Sequence, residues 1–406
     1  MPRRAPGESH YNEKKGRDAL NPFDLILLVV LAMVQWRLSV RALRAARRCF
    51  SGRQLQTARA GILLAEALIL AGYLMTWSDL VGRAKIPARP AALIGAVALA
   101  YLLASTALFV MYGILELVKH HLDADVDPGR RRALNAAGGV LMATPLAVMG
   151  YGSLVQRTDF RVRELDAPVP GLPEDLDRLR VLQLSDIHLS AFLSEAELSR
   201  VIDASMELRP NLIVVTGDLI SGRGDPLDAC IRQLARLKAD AGMFGCMGNH
   251  ERYAGAEDYT EQAARKVGIR FLRSESQQLR FGSATLNLAG VDYQSLAGKK
   301  DYLRGAETMI VPGAVNVLLS HNPDVFPVAA QQGYNLLLAG HTHGGQVNIE
   351  ILDQSINPAR YATPFVYGLY RSRTATAYVT RGIGTIVIPT RIGAPPEISV
   401  LRLRKA

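Results

Sequence analysis

Hydrophobic residues are distributed along this chain in two different ways. Over the first 155 positions they gather in four nearly unbroken stretches, at 22–40, 60–77, 90–118 and 133–155. Each is close to the ~20 residues that a helix needs to cross the hydrocarbon core of a bilayer. Helix is the conformation expected there, because it satisfies every backbone polar group without water. The pattern therefore predicts an all-α region of four transmembrane helices over 1–157. The first stretch is the weakest, since Asp24, Gln35 and Arg37 interrupt it, and Glu66 interrupts the second. No acid or base at the same depth offers Glu66 a partner, so ion transport is not inferred.

From position 178 onward the apolar residues fall in short runs, rich in Leu, Val and Ile, between amphipathic segments. This predicts strands at 180–184, 212–216, 242–247, 284–290, 315–319, 336–339, 377–380 and 398–403. Helices are expected at 194–208, with Ser194 as N-cap, and at 227–237, 256–267 and 324–332. Strand–helix alternation that gives way to strand-rich sequence suggests an α/β sandwich with helices outside. The domain should occupy 178–406, after a linker at 158–177. Ligands of such folds gather at the carboxyl ends of strands.

Charge sharpens the division. The formal net charge is +10, but residues 1–133 hold 19 Lys/Arg against 10 Asp/Glu, and the remainder holds 28 against 27. A basic excess confined to the flanks of apolar stretches argues for membrane topology and against nucleic-acid binding. Arg41, Arg44, Arg47, Arg48, Arg53 and Arg59 are expected in a loop between the first two stretches. Lys119 and Arg130–Arg132 are expected before the fourth. The positive-inside rule puts both loops in the cytoplasm, so four spans leave the C-terminal domain on the extracytoplasmic face. The basic N-terminal tail opposes this mildly. The run Arg130-Arg131-Arg132-Ala133-Leu134 reads either as a twin-arginine export signal or as an ordinary basic flank, with the same orientation. Cys49, Cys230 and Cys246 have no metal-ligand spacing, which excludes a disulfide framework and a thiolate zinc cage.

Chemistry-bearing residues stand at the expected strand ends. They are Asp186 with His188, Gly217-Asp218, Gly248-Asn249-His250-Glu251, Ser320-His321-Asn322 and Gly340-His341-Thr342-His343. Five of the eight histidines fall in these patches, which scattering for packing would not produce. The one-residue spacing of Asp186 and His188, repeated by His341 and His343, is expected to point both side chains the same way as a strand ends. Mixed carboxylate and imidazole donors suit manganese, iron or zinc better than calcium. The two oxygens of Asp218 allow it to bridge two cations.

This ordered set resembles the calcineurin-like metallophosphoesterase family, whose pattern is Asp-x-His, Gly-Asp, Gly-Asn-His-Asp/Glu, His and Gly-His-x-His. All five blocks are present without a substituted ligand, and the resemblance covers roughly 178–404. The stretches 378–384 and 391–398 look like the membrane-associated or exported bacterial branch, which includes enzymes similar to UDP-diacylglucosamine pyrophosphatases. The four apolar stretches are not part of the family pattern.

The resemblance implies a four-layer β-sandwich flanked by helices and a site of two divalent metal ions. Asp186, His188, Asp218 and His343 would hold the first ion. Asp218, Asn249, His321 and His341 would hold the second. His250 would face the substrate. The implied reaction is hydrolysis of a phosphoester or pyrophosphate by metal-activated hydroxide, in a multi-pass protein of the bacterial cytoplasmic membrane. A lipid-linked phosphorylated substrate suits membrane attachment, yet a sugar-nucleotide lipid sits on the cytoplasmic leaflet and conflicts with the outward orientation, so substrate class stays open, as does oligomeric state. The rival reading is a membrane sensor or scaffold that binds a phosphorylated ligand without turnover; the intact ligand set and His250 favour catalysis.

Overall fold

The computed structural model describes residues 22–75, 86–122, 128–351 and 354–406. The basic N-terminal tail and the segment 76–85 lie outside the described residues. Two compact units appear: one draws on residues up to Tyr73 and on Ala98–Pro145, the other on Leu74–Val97 and Leu146–Ala406.

Helices stand at each of the four apolar stretches: α1 (Pro22–Cys49), α2 (Gly52–Leu74), α3 (Ala88–Leu122) and α4 (Pro128–Leu154). Among the described residues, two segments are long and apolar enough to cross a membrane, Gly52–Leu74 and Pro90–Leu117. That revises the expectation of four equivalent spans. The last turns of α1 carry Arg41, Arg44, Arg47 and Arg48, and α4 opens on Arg130–Arg132 and contains Pro145. The six arginines expected in a first loop are therefore all helical, four in α1 and Arg53 and Arg59 in α2. Arginine is a good helix former, and only Phe50 and Ser51 separate α1 from α2. The Arg41 guanidinium lies 4.2 Å from the ring centre of Tyr112.

Glu66 has neutral partners that the sequence reading did not supply. Gln35 Nε2 donates to both carboxylate oxygens at 2.8 and 2.7 Å, and Ser39 Oγ donates at 2.6 Å. The residue that interrupts the first apolar stretch thus satisfies the one that interrupts the second.

In the second unit, β2 (Arg180–Leu184), β3 (Leu212–Thr216), β4 (Met243–Cys246) and β5 (Ile269–Phe271) run parallel in one six-stranded sheet. Its order is β1-β14-β2-β3-β4-β5. Strand β14 (Glu397–Lys405) pairs antiparallel with β2 and parallel with β1 (Arg161–Val169). Residues 161–169, expected as linker, are thus the edge strand of this sheet, and the domain begins earlier than 178. The second sheet has the order β12-β13-β9-β8-β7-β6, with β12 (Gly368–Arg371) and β6 (Glu275–Phe281) at its edges. Its inner strands are β7 (Ala284–Gly290), β8 (Val315–Leu319), β9 (Leu336–Ala339) and β13 (Thr376–Val379).

Strand alternation builds the layers, because successive side chains point to opposite faces. Val214 packs between the sheets with Leu401, Leu288 and Leu338. Its neighbours Ile213 and Val215 point outward, onto Leu198 and Ile202 of α5 (Glu195–Glu207) and Ile231 of α6 (Leu227–Leu234). Leu318 points to the other outer face, toward Phe326 and Ala329 of α9 (Phe326–Gln332). Helices, sheet, sheet and helix thus form the expected sandwich. Ser194 caps α5 in a reciprocal box with Glu197, as its sequence predicts.

Candidate metal centre

The loops after β2, β3, β4, β8 and β9 converge. Their backbones are unusual: Asp186 (φ 48°), His188 (φ 48°), Asp218 (φ 55°), His341 (φ 75°) and His343 (φ 53°) all lie in the left-handed region. For non-glycine residues this costs on the order of 1–3 kcal/mol each and persists only where the surroundings impose it. The observation replaces the expected reason for the Asp-x-His spacing. These side chains point together because the chain turns left-handed at each ligand, not because a strand continues.

Three groups of donor atoms come together, each within 4.8 Å: Asp186, His188 and His343; His188, Asp218 and His250; Asp218, His321 and His341. His343 Nε2 is 3.3 Å from Asp186 Oδ1, and His188 Nε2 is 3.5 Å from Asp218 Oδ2. Asp218 Oδ2 also lies 2.9 Å from His321 Nε2, so this one carboxylate stands between the two clusters. Asp186 accepts the N–H of His341, and Asp218 accepts the N–H of His250 at 2.9 Å. A side chain on Gly248 would collide with the Asp218 carboxylate, which explains glycine there.

Divalent cations fit this donor set. Asn249 Oδ1 is buried without a hydrogen-bond partner, a costly state for a polar atom, and His321 Nε2 has only the Asp218 carboxylate, at 2.9 Å. His321 is held at Nδ1 by the Thr216 carbonyl, 2.6 Å away, which turns Nε2 toward the carboxylates. The Nε2 atoms of His188 and His343 face each other at 3.2 Å, a separation suited to two imidazoles sharing one cation at roughly 2.1 Å. Burial pulls both rings well below the ordinary histidine range, so neither is charged. Burial, with His321 beside it, pulls His341 down to about 4. His321 differs: burial pulls it down, but the Asp218 charge outweighs that and pushes it up to about 10. Asp218 in turn pays for burial and is held well below the carboxylate range by His321. A cation bound between them takes the place of that proton.

His250 stands at the edge of the cluster. Its ring meets that of His188 edge-on, with centres 4.7 Å apart. Its Nδ1 donates to the Ser221 carbonyl at 2.6 Å, which anchors the ring.

The structure adds residues to which the sequence reading gave no role. Glu251 is fully buried and accepts backbone N–H groups from both the Asp218 and the Gly248 loops. Arg391 is fully buried beneath His343 and donates to the carbonyls of Gly384 and Ala394 at 3.0 Å. Tyr293 packs against His341, ring centres 5.6 Å apart. Glu251 was visible as the last residue of its motif and Arg391 as the first residue of the 391–398 stretch, though neither received a role; Tyr293 lies outside the metal blocks and gave no signal.

Similarity to known proteins follows the same residues. Residues 179–345 match the calcineurin-like phosphoesterase family. The chain is 32% identical over 282 residues to a zebrafish (Danio rerio) transmembrane protein with metallophosphoesterase domain. That alignment covers 66% of this chain and 62% of the relative. Over 281 residues it is 29% identical to the metallophosphoesterase YkuE of Bacillus subtilis, covering 68% of this chain and 97% of the relative. With the phosphodiesterase YaeI of Escherichia coli it shares 28% identity over 227 residues, 55% of this chain and 82% of the relative. Left-handed ligand loops after β2, β3 and β9 and a sequence match that spans all five converging strand ends identify residues 179–345 as a domain of the calcineurin-like phosphoesterase family.

Proposed function

We propose that this protein is a membrane-anchored hydrolase of phosphoesters or phosphoanhydrides that works with two divalent metal ions. The observation that carries the reading is the buried Asn249 Oδ1, which has no hydrogen-bond partner, beside three converging groups of carboxylate and imidazole donors. Asp186, His188, Asp218 and His343 would hold one ion. Asp218, Asn249, His321 and His341 would hold the other. Bound there, such ions lower the pKa of water and offset the charge of a phosphate. Asp218, which belongs to two of the donor groups, would contribute to both sites. His250, anchored at Nδ1, presents Nε2 to protonate the leaving oxygen.

The membrane reading rests on α2 and α3, whose outward residues Leu63, Leu64, Leu68, Val110 and Ile114 are exposed apolar side chains, and on the description of the zebrafish relative as a transmembrane protein. In this reading α1 and α4 also span the bilayer, and the basic residues at their ends keep the catalytic domain on the extracytoplasmic face. Phosphodiester chemistry is favoured by the description of the Escherichia coli relative.

The test is metal analysis of the purified full-length chain with an assay of bis(p-nitrophenyl) phosphate hydrolysis. Manganese, iron or zinc at about two ions per chain and turnover lost in Asp218→Asn are expected. Undiminished turnover in that variant removes the two-metal assignment. Protease access to the domain in spheroplasts tests its side.

A further inference from the structure

Beside the metal cluster lies a second cavity of about 600 Å³ that the hydrolytic chemistry does not use. Arg360 and Arg381 line it, with Asn348, Tyr367 and Tyr370; no carboxylate lines it among the described residues. We infer that this cavity is a subsite for a second anionic group of the substrate, a phosphate or carboxylate carried beyond the scissile phosphate. The inference rests on the hydrolase reading above and adds a substrate class to it.

Position is the first argument. Gly344, in the cavity wall, directly follows the ligand His343, and the Arg381 side chain packs on it: a Cβ at Gly344 would meet Arg381 Cγ at 2.7 Å. Gly382, next to Arg381, lies against Asp186, where an added Cβ would come within 2.5 Å of the Asp186 Cβ. The cavity lining therefore adjoins the metal cluster at both His343 and Asp186.

Rigidity is the second. Asn357 Nδ2 donates to the Gly344 carbonyl at 3.0 Å, while its Oδ1 accepts the N–H of Ala359 at 3.1 Å. It thereby ties the metal loop to the 3-10 turn Pro358–Tyr361 that carries Arg360. A side chain at Gly345 would collide with Asn357, so this approach requires glycine. Tyr367 is fixed as well: its hydroxyl donates to Glu397 at 2.8 Å, and its N–H donates to the Tyr370 hydroxyl at 3.1 Å.

Charge is the third. The guanidinium carbons of Arg381 and Arg163 lie 3.9 and 4.8 Å from the Tyr367 ring centre. Arg360 and Arg381 thus put two cations in the lining, and Arg163 adds a third against the Tyr367 ring. A guanidinium recognises phosphate or carboxylate by paired hydrogen bonds, and Arg360, exposed at the rim, is the one that reaches an entering ligand.

The test uses the metal-loaded full-length chain and two matched esters, thymidine 5′-(p-nitrophenyl phosphate) with and without a 3′-phosphate. Wild type is expected to prefer the 3′-phosphorylated ester in kcat/KM by about tenfold, as a charge-assisted contact provides. Arg360→Gln should bring that ratio close to one, and Arg360→Lys should keep part of it. No preference in wild type, or the same preference in Arg360→Gln, overturns the subsite. Turnover of neither ester would instead count against the hydrolase reading. Calorimetric titration with thymidine 3′,5′-bisphosphate and thymidine 5′-monophosphate then decides the subsite alone: tighter bisphosphate binding that Arg360→Gln abolishes upholds it, and equal affinities overturn it.

Discussion

The Glu251 carboxylate accepts the backbone N–H of Asp218 at 2.9 Å, and the same side chain accepts those of Leu219 at 2.8 Å and Gly248 at 2.9 Å. One buried acid thereby clamps the loop of the candidate bridging ligand to the loop that carries Asn249 and His250. Burial, with the Asp218 charge, pushes its carboxyl up to about 7. Glu251→Ala leaves buried N–H donors without partners, at roughly 1–3 kcal/mol each. A loss of about 3 kcal/mol in urea denaturation is expected, with lower metal content. An unchanged midpoint with full metal content would show that the loops hold without the clamp.

His250 is expected to separate rate from metal binding. Because its Nδ1 is committed to Ser221 and the other candidate ligands suffice, His250→Ala should keep its metal. It should lose about 10²–10⁴-fold in rate, the span of general acid catalysis, and most with poor leaving groups. A fall in metal content would make His250 a ligand instead.

Metal removal should weaken the fold. Asp186, Asp218, His188, His321 and His343 are all buried, and without cations their carboxylates and lone pairs face one another. A ligand that binds only the folded state stabilises it by about 2.7 kcal/mol at a hundredfold its Kd. Chelation should therefore lower the melting temperature, and readdition of metal should restore it in a concentration-dependent way. A melting temperature indifferent to chelator would contradict the fit.

In the helical unit, Glu66→Ala leaves the Gln35 amide without its acceptor and the Ser39 hydroxyl with only the Gln35 carbonyl, 2.8 Å away. Hydrogen bonds between helices in a membrane are worth on the order of 0.6–2 kcal/mol. A measurable loss of thermal stability in detergent is expected, and the double variant Glu66→Ala/Gln35→Ala should cost less than the sum of its parts. Strict additivity would mean the two side chains do not interact.

The thiols should divide by burial. Cys49 is exposed, whereas Cys230 and Cys246 are buried, and burial raises both buried thiols well above their usual range. The thiolate is the reactive form. Iodoacetamide at neutral pH should label Cys49 and spare the other two until denaturant is added, as read by peptide mass spectrometry.

The chemistry of the site was legible because each ligand patch is contiguous and each follows a short apolar run such as 212–216 or 336–339. What escaped the sequence was edge and depth. Strand β1 is mostly exposed along its first four residues, so it shows no clean alternation and reads as linker. Strand β6 (Glu275–Phe281) has the same polar character at the other sheet's edge. The 391–398 stretch carried no sign that Arg391 is buried, and the ring of carbonyls around it makes that burial tolerable. The left-handed backbone at five candidate ligands has no mark in residue type, since aspartate and histidine stand where glycine would be easier.

Strand β14 lies between β1 and β2, and this imposes a timetable on the newborn chain. Both neighbours leave the ribosome early, while the piece that bridges them arrives roughly 10–40 seconds later at about 5–20 residues per second. Until then β2 offers a bare edge and β1 has nothing to pair with, so the first sheet closes only when translation of its final strand is complete.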